Sequence, residues 1–580
     1  HVVNNVCVSC GDNINDAGDD ASGADTTCDC KANFRSFTSY ASDNTKKYGS
    51  TVCTDTSDCE TKCTGDSGCE GHSNNGRTKI QTWGAAGKGG TDPGVMNNLV
   101  NIYSTVQAFA ALKLDGSVQV WGDSGYGGTD PGISSGVVTI FSTDRAFAAL
   151  KSDGSVKAWG SSTYGGNDPS ITSDVVNIYT NKYAFAALKS DGSVKTWGSS
   201  SYGGGAGAPA AGTNCQYNSD GEYVSGTDCT VDITGNDYAF AALKSDGSVK
   251  VWGRATYGGT DPGLTSTDNV VSIVSTSQAF AALKSDGTVK AWGKDDNGGC
   301  NNVAGGTNVK CVPDGLTGVV KIVGKNKFAF AAIKSDGSVT SWGLSYKGGT
   351  PPGIGAGTNC VYDSGEYVSG TGCVTDIFPL NAAFAALKSD GTVTVWGYDQ
   401  YGGCNSGSGV SAPASTGYNH YTCKPSGLTD VVTIVSGDAS NSVAFAALKS
   451  DGSVEAWGTK SRGGCNSGSG ESGGTNWDYT CKPSGLTDVV SLVGTVVAFA
   501  AVKSDGSVVT WGRTAYGGDV TISSGVSIIY PNLYALVAAG PLNHTYGPEV
   551  TGTGSISFTK NKCSSCPAGT TNVAGDPIGA

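Results

Sequence analysis

Histidine and methionine are almost missing from this chain of 580 residues, which has four of the first and one of the second, and charged residues make up only 15% of it. With only His1, His72, His420 and His544 to draw on, a Ser-His-Asp triad has few candidates. Basic clusters are missing too. No run among the 37 Lys and Arg is longer than Lys46–Lys47, and 50 Asp and Glu bring the net charge to −13. Phosphate binding needs clustered cations, so nucleic acid is not an expected partner. No apolar run approaches the ~20 residues of a membrane-spanning helix; the longest are as short as Tyr534–Ala539. The chain opens at His1 with no basic or apolar leader, and the expectation is that a signal sequence is removed or lies outside it.

What is present is apolar enough, at 38%, to exclude disorder, and the 89 Gly keep no collagen register. Trp-Gly recurs at Trp83, Trp121, Trp159, Trp197, Trp252, Trp292, Trp342, Trp396, Trp457 and Trp511, at intervals of 38 to 61 residues. Each unit reads as Val-Val-Asn-Ile-Tyr (Val175–Tyr179), Ala-Phe-Ala-Ala-Leu-Lys (Ala184–Lys189), a Ser-Asp-Gly step, Ser193–Gly198 ending in Trp-Gly, and a Tyr-Gly-Gly loop. Asp191-Gly192 between two apolar runs predicts a hairpin. Phe185 and Ala187 alternate with Ala184, Ala186 and Leu188, so both faces of that strand are apolar and must be buried between stacked sheets. The unit has room for three strands and a short fourth.

The fold class is therefore all-β, a repeat β-propeller of about ten short blades, with an open β-solenoid or two smaller rings as alternatives. The array's ends favour closure: Lys79–Gly84 has a Trp-Gly strand with no Ala-Phe strand before it, while Val526–Tyr530 and Ala535–Ala539 have the earlier strands with no clear Trp-Gly after them. The expected domains are a cysteine-rich disulfide module (1–78), the propeller (79–545), and a C-terminal strand with the start of a second cysteine-rich module (546–580).

Ala146–Gly160 resembles the blade motif of the regulator-of-chromosome-condensation repeat family, which implies propeller blades over roughly Lys79–Gly540. Tyr-Gly-Gly stands where that family usually has Gly-Gln-Leu-Gly, and the resemblance implies neither nucleotide exchange nor ubiquitin ligation here. Outside the array, Cys7-Val-Ser-Cys10 with Ala17–Cys28 resembles a small cysteine module repeated in secreted or surface proteins of unicellular eukaryotes. Cys563-Ser-Ser-Cys566 with Ala574–Ala580 resembles the same module, cut off partway, so the chain reads as a segment of a longer modular polypeptide.

The short intervals contain no cysteine. The five long ones contain two each: Cys215/Cys229, Cys300/Cys311, Cys360/Cys373, Cys404/Cys423 and Cys465/Cys481. Paired Cys without His make poor zinc sites, so each insertion is expected to be a disulfide-stapled loop, all emerging from one rim. Cys7, Cys10, Cys28, Cys30, Cys53, Cys59, Cys63 and Cys69 are expected to form disulfides of open connectivity, and Cys563 and Cys566 are also assigned to a structural bridge. Asn543-His544-Thr545 is an N-glycosylation sequon.

No catalytic or metal residue is assigned. Gly122-Asp123-Ser124-Gly125 resembles a protease nucleophile segment, but the same loop reads Gly160-Ser161-Ser162-Thr163 one repeat later. Asp12–Asp25 lacks the ligand alternation of a calcium hand and reads as a solvated acidic loop. Tyr126, Tyr164, Tyr202, Tyr257, Tyr401 and Tyr516 are candidates for a sugar-stacking rim or for blade-to-blade packing. The functional expectation is an extracellular or cell-surface structural glycoprotein, one bead of a filament, sheath or flagellar-hair-like assembly. Its partners would be copies of itself joined head to tail through the terminal cysteine modules, with glycans also possible and no cofactor. The alternative is a carbohydrate- or protein-binding propeller of the lectin or adhesin kind, and an enzyme is not expected.

Overall fold

A computed structural model describes residues 2–3, 6–7, 46–48, 51–53, 77–91, 93–300, 308–404, 421–436, 442–465, 479–532 and 535–541. The chain divides into two units, one of residues 1–75 with 560–580 and one of residues 76–559. In the first, Val2–Val3 pairs with Val6–Cys7 and Lys46–Tyr48 with Thr51–Cys53, both antiparallel. No cysteine side chain of that unit is described, so the expected bridges of Cys7, Cys10, Cys28, Cys30, Cys53, Cys59, Cys63, Cys69, Cys563 and Cys566 lie outside the described residues. The Asn543 sequon, all four histidines and Asp12–Asp25 also lie outside them.

The second unit is all β, with single-turn 3-10 helices and no α-helix among the described residues. Its units are blades of an inner, a middle and an outer antiparallel strand in chain order. In blade 3 these are Val137–Ser142, Ala146–Lys151 and Val156–Gly160. The middle strands of blades 2 to 10 begin at Ala108, Ala146, Ala184, Ala239, Ala279, Ala329, Ala383, Ala444 and Ala498. Inner and middle strands are joined at what we term the upper end. The Asp-Gly turn joins middle to outer strand at the lower end.

Blade 1 joins the two ends of the array. Ile528–Pro531 and Ala535–Pro541 supply its inner and middle strands, and Arg77–Gly84 its outer strand, in a register that sets Leu536 opposite Trp83 and Ala539 opposite Ile80. Ten blades make ten apolar interfaces, one more than an open row of ten could have. The tenth packs Ala535 and Val537 of blade 1 against Ile102, Phe109 and Trp121 of blade 2. The array is a single closed ring, neither solenoid nor pair of rings.

The interfaces among blades 2 to 10 are built alike. Ala146 and Ala148 of blade 3 lie against Ile178, Phe185 and Trp197 of blade 4, while Ala184 and Ala186 of blade 4 lie against Ile233, Phe240 and Trp252 of blade 5. Small residues on one face let the large ones of the next blade close in, and each large side chain so buried contributes about 2 kcal/mol. Within a blade the Phe and Trp rings stack, with centroids 5.0 Å apart for Phe185 and Trp197. The Trp197 indole N–H also donates to the carbonyl of Gly165 in the preceding blade's Tyr-Gly-Gly loop, at 3.0 Å. Gly165 has φ +93°, and a Cβ there would stand 2.6 Å from the Phe185 ring, so glycine is required twice over.

The five insertions close the disulfides Cys215–Cys229, Cys300–Cys311, Cys360–Cys373, Cys404–Cys423 and Cys465–Cys481. They do not share one rim. Cys300, Cys404 and Cys465 directly follow a Gly-Gly at the upper end, and their loops return as short fourth strands (Val309–Lys310, Tyr421–Thr422, Tyr479–Thr480) on the next blade's outer strand. The other two bridges sit at the lower end beside Gly192 and Gly337 of the Asp-Gly turns. There they staple hairpins of Thr213–Tyr217 with Tyr223–Thr227 and of Thr358–Asp363 with Glu366–Thr371. The reason is the point of insertion: one kind interrupts the chain as it leaves an outer strand, the other just before it begins an inner strand.

Candidate functional site

The upper end gathers polar, aromatic and charged groups around a cavity. Inner-to-middle turns of several blades are held by a Thr or Asn at their first position, which in blade 8 is instead the buried Leu380. The Thr143 hydroxyl accepts from the Ala146 amide and donates to the Tyr164 carbonyl at 2.9 Å; Asn181 and Asn236 do the same with Ala184 and Tyr202, and with Ala239 and Tyr257. In these blades that anchors the Tyr-Gly-Gly loop to the turn of its own blade. Neighbouring turns bond to one another, the Val106 amide to the Asp144 carbonyl and the Asp144 amide to the Lys182 carbonyl. The Ser142 and Ser104 hydroxyls donate to the carbonyls of Ser104 and Pro531 in the preceding blades.

Inside this collar lies a cavity of about 730 Å³, lined by turns from blades 1 to 4 and from blades 9 and 10. Its charged lining residues are Asp144 and Lys182. Burial alone would lower the Lys182 ammonium, but the Asp237 carboxylate 2.9 Å away, with Asp144 nearby, outweighs it and holds the pKa above the ordinary lysine value. Lys182 is a fixed cation here and cannot serve as a base near neutral pH.

Around the collar runs an aromatic arc. Tyr183 lies 5.0 Å from Tyr164, 4.7 Å from Tyr202 and 5.7 Å from Tyr238, and Tyr238 lies 4.8 Å from Tyr257. The Arg145 guanidinium lies over Tyr126 and Tyr164, and that of Arg254 over Tyr202 and Tyr257. Burial, then the proximity of Tyr238, pushes the Tyr183 phenol up to about 12, so it stays neutral. Of the six tyrosines singled out from sequence, four belong to this arc. Tyr401 packs edge-on to Tyr398 at 5.1 Å and Tyr516 lies under Arg513 at 5.0 Å, each in its own blade. Tyr183, Tyr238 and Arg145 were missed because they occupy a turn position, just before each Ala-Phe, whose residue changes from blade to blade, and Arg254 because it occupies the equally variable position just after Trp-Gly.

Asp123 caps a single 3-10 turn by accepting from the Gly125 amide at 2.8 Å, and the serine between them is exposed. Ser161 opens the same turn one blade later. No group of three or more metal-ligating residues exists among the described residues.

No family model and no curated protein matches the chain. Among solved structures it is similar to Prp20p of Saccharomyces cerevisiae, at 14% identity over 80% of this chain and 92% of that one, with a TM-score of 0.31. It is similar also to the ectodomain of the Arabidopsis thaliana receptor kinase ACR4 (16%, 52% and 97%, TM-score 0.28) and to that of the Physcomitrella patens receptor kinase CR4 (14%, 52% and 73%, TM-score 0.29). At these values the similarities bear on neither blade number nor function.

Proposed function

We propose that this chain is a structural building block outside the cell, a stiff ring repeated in a filament, sheath or flagellar-hair-like assembly. The observation that carries the reading is redundancy of bracing: a ring closed by ten apolar interfaces has each long insertion fastened to it by its own disulfide. Such bridges persist in oxidising surroundings, which supports an extracellular place. No reaction is assigned to the chain. Electron microscopy of the untreated native material tests the reading, with ordered polymers or sheaths of ring-shaped units expected. Solitary particles would overturn it.

A second reading, a glycan- or protein-binding propeller, is favoured by the half-exposed tyrosine–arginine arc. It calls for a ligand retained on an array of glycans and extracellular proteins and released by Tyr202→Ala.

A further inference from the structure

The two ends of the ring differ in chemistry, and the lower one is unusual. The large hydrophobic side chains exposed among the described residues are nearly all there. Their source is a β-bulge. In blades 2 to 10 the pairing of inner with middle strand slips by one residue after its first position, as between Val137 and Thr139 or between Val489 and Ser491. The first valine of each Val-Val pair stays buried, and the extra one is turned out at the lower end. Val490 is 61% exposed, Val271 and Val432 53% each. Where the two lower hairpins fold back over an inner strand, placing Gly221 against the Val176 carbonyl and Gly365 against that of Val320, they expose Val224 and Val368 instead. Different elements keep the same end apolar, and apolar surface gathered in this way marks an interaction site.

Charge separates the ends further. In blades 2 to 10 each Asp-Gly turn brings one Lys and one Asp, as Lys151 and Asp153, and these balance. Beyond them the lower end is acidic, with Asp174, Asp228, Asp268, Asp430 and Asp488 ahead of inner strands and Glu222 and Glu366 on the hairpins, against which the inner-strand Lys321 balances Glu366 alone, at 2.9 Å. On the upper turns and 3-10 helices, basic residues such as Arg145, Arg254, Lys347, Arg462 and Arg513 outnumber acidic ones. The upper end also offers the half-exposed tyrosine rings, an apolar surface for valines to cover.

We propose that rings stack along their axis, the acidic, valine-rimmed lower end of one copy on the basic, tyrosine-bearing upper end of the next. This deepens the structural reading above and rests on it, with the joint placed on the propeller faces. Complementary potentials favour a second copy in this orientation and disfavour lower end on lower end. A contact between two different surfaces of one molecule does not close, and so propagates into a fibre.

The test uses the full oxidised chain in sedimentation velocity. The unaltered chain is expected to form species that lengthen with concentration and shorten as salt screens the ends. Val271→Asp/Val432→Asp/Val490→Asp disables the lower end, and Arg145→Glu/Arg254→Glu the upper. Each variant alone is expected to associate at least about 100-fold more weakly while melting like the unaltered chain, since the changed residues are exposed. Mixed together, the two variants are expected to give dimers and nothing longer, each supplying one intact end. An unaltered chain that stays monomeric at about 100 µM, variants that associate like the unaltered chain, or a mixture without dimers would each overturn the proposal. So would flotation of the unaltered chain with lipid vesicles that the valine variant loses, which would give the lower end to a membrane. If native material is polymeric while the variants assemble normally, stacking fails and the structural reading stands. If native material is solitary while the mixture dimerises, only the structural reading fails.

Discussion

At the scale of single residues, the carboxylate of the Asp-Gly turn shows how a repeated detail governs response to pH. Asp153 Oδ1 accepts from the Ser155 hydroxyl at 2.6 Å and from its amide at 2.9 Å, and these bonds, helped by Lys151, hold the carboxyl below the usual range. Bonds from the Ser or Thr two residues on shift Asp115, Asp286, Asp390, Asp451 and Asp505 the same way, and Asp191, Asp246 and Asp336 follow although burial opposes it. A carboxylate whose folded pKa is depressed stabilises the fold above its unfolded value of about 4, and the contribution fades as pH falls through the folded value. Nine such groups share one direction. The melting temperature, followed by calorimetry, is therefore expected to hold from pH 7 to about 5 and to drop steeply below about 4. Asp153→Ala is expected to melt below the parent at pH 7, with the difference closing in acid; a difference that persists undiminished at pH 2 would refute the assignment.

Among elements, the insertions divide into lower hairpins and upper loops, and their disulfides act locally. Bridging a loop of about 15 residues restricts the unfolded chain by about 3 kcal/mol. Cys215→Ser/Cys229→Ser is accordingly expected to lower unfolding stability by up to that amount while leaving the far-ultraviolet dichroism of the ring intact. Peptide mapping without reduction should recover Cys215 joined to Cys229 and Cys404 joined to Cys423; other partners would contradict the pairing. The strands themselves were legible in sequence because their apolar faces repeat: Phe185 with Ala187 and Ala184 with Ala186 do bury on opposite neighbours. The closure of the array was legible because Lys79–Gly84 lacked the strands that Val526–Ala539 possessed. The ends from which the insertions leave were not, since both kinds carry two cysteines and differ only in where they break the repeat. The bulge was hidden because a doubled valine reads equally well as a strand buried on both faces. The tyrosine arc was half legible, its loop tyrosines being periodic and its turn residues variable.

For the molecule as a whole, the seam in blade 1 is where the repeated tryptophan hydrogen bond lapses. In the other nine blades the motif tryptophan donates its indole N–H to a glycine carbonyl of the blade before, as Trp159 does to Gly127 at 3.1 Å. Trp83, equally buried and packed beside Gly517, makes no such bond, and neither Gln81 Oε1 nor the Thr82 hydroxyl on the same strand finds a partner. A buried polar group without a partner weakens the fold it sits in. Three on one strand weaken blade 1, where the two ends of the array are joined. Two measurements follow. Trp159→Phe loses a hydrogen bond and strands the Gly127 carbonyl, whereas Trp83→Phe removes an N–H that had no bond, so Trp83→Phe should cost about 1 kcal/mol less in denaturant unfolding. Hydrogen exchange should likewise find the amides of Arg77–Gly84 and Ala535–Pro541 less protected than those of Ala146–Lys151 and Val156–Gly160, because blade 1 carries three buried polar groups without partners and its strands are joined only by pairing of the two chain ends. Equal costs for the two tryptophans, together with uniform protection around the ring, would show instead that the seam is as strong as any blade joined within the chain.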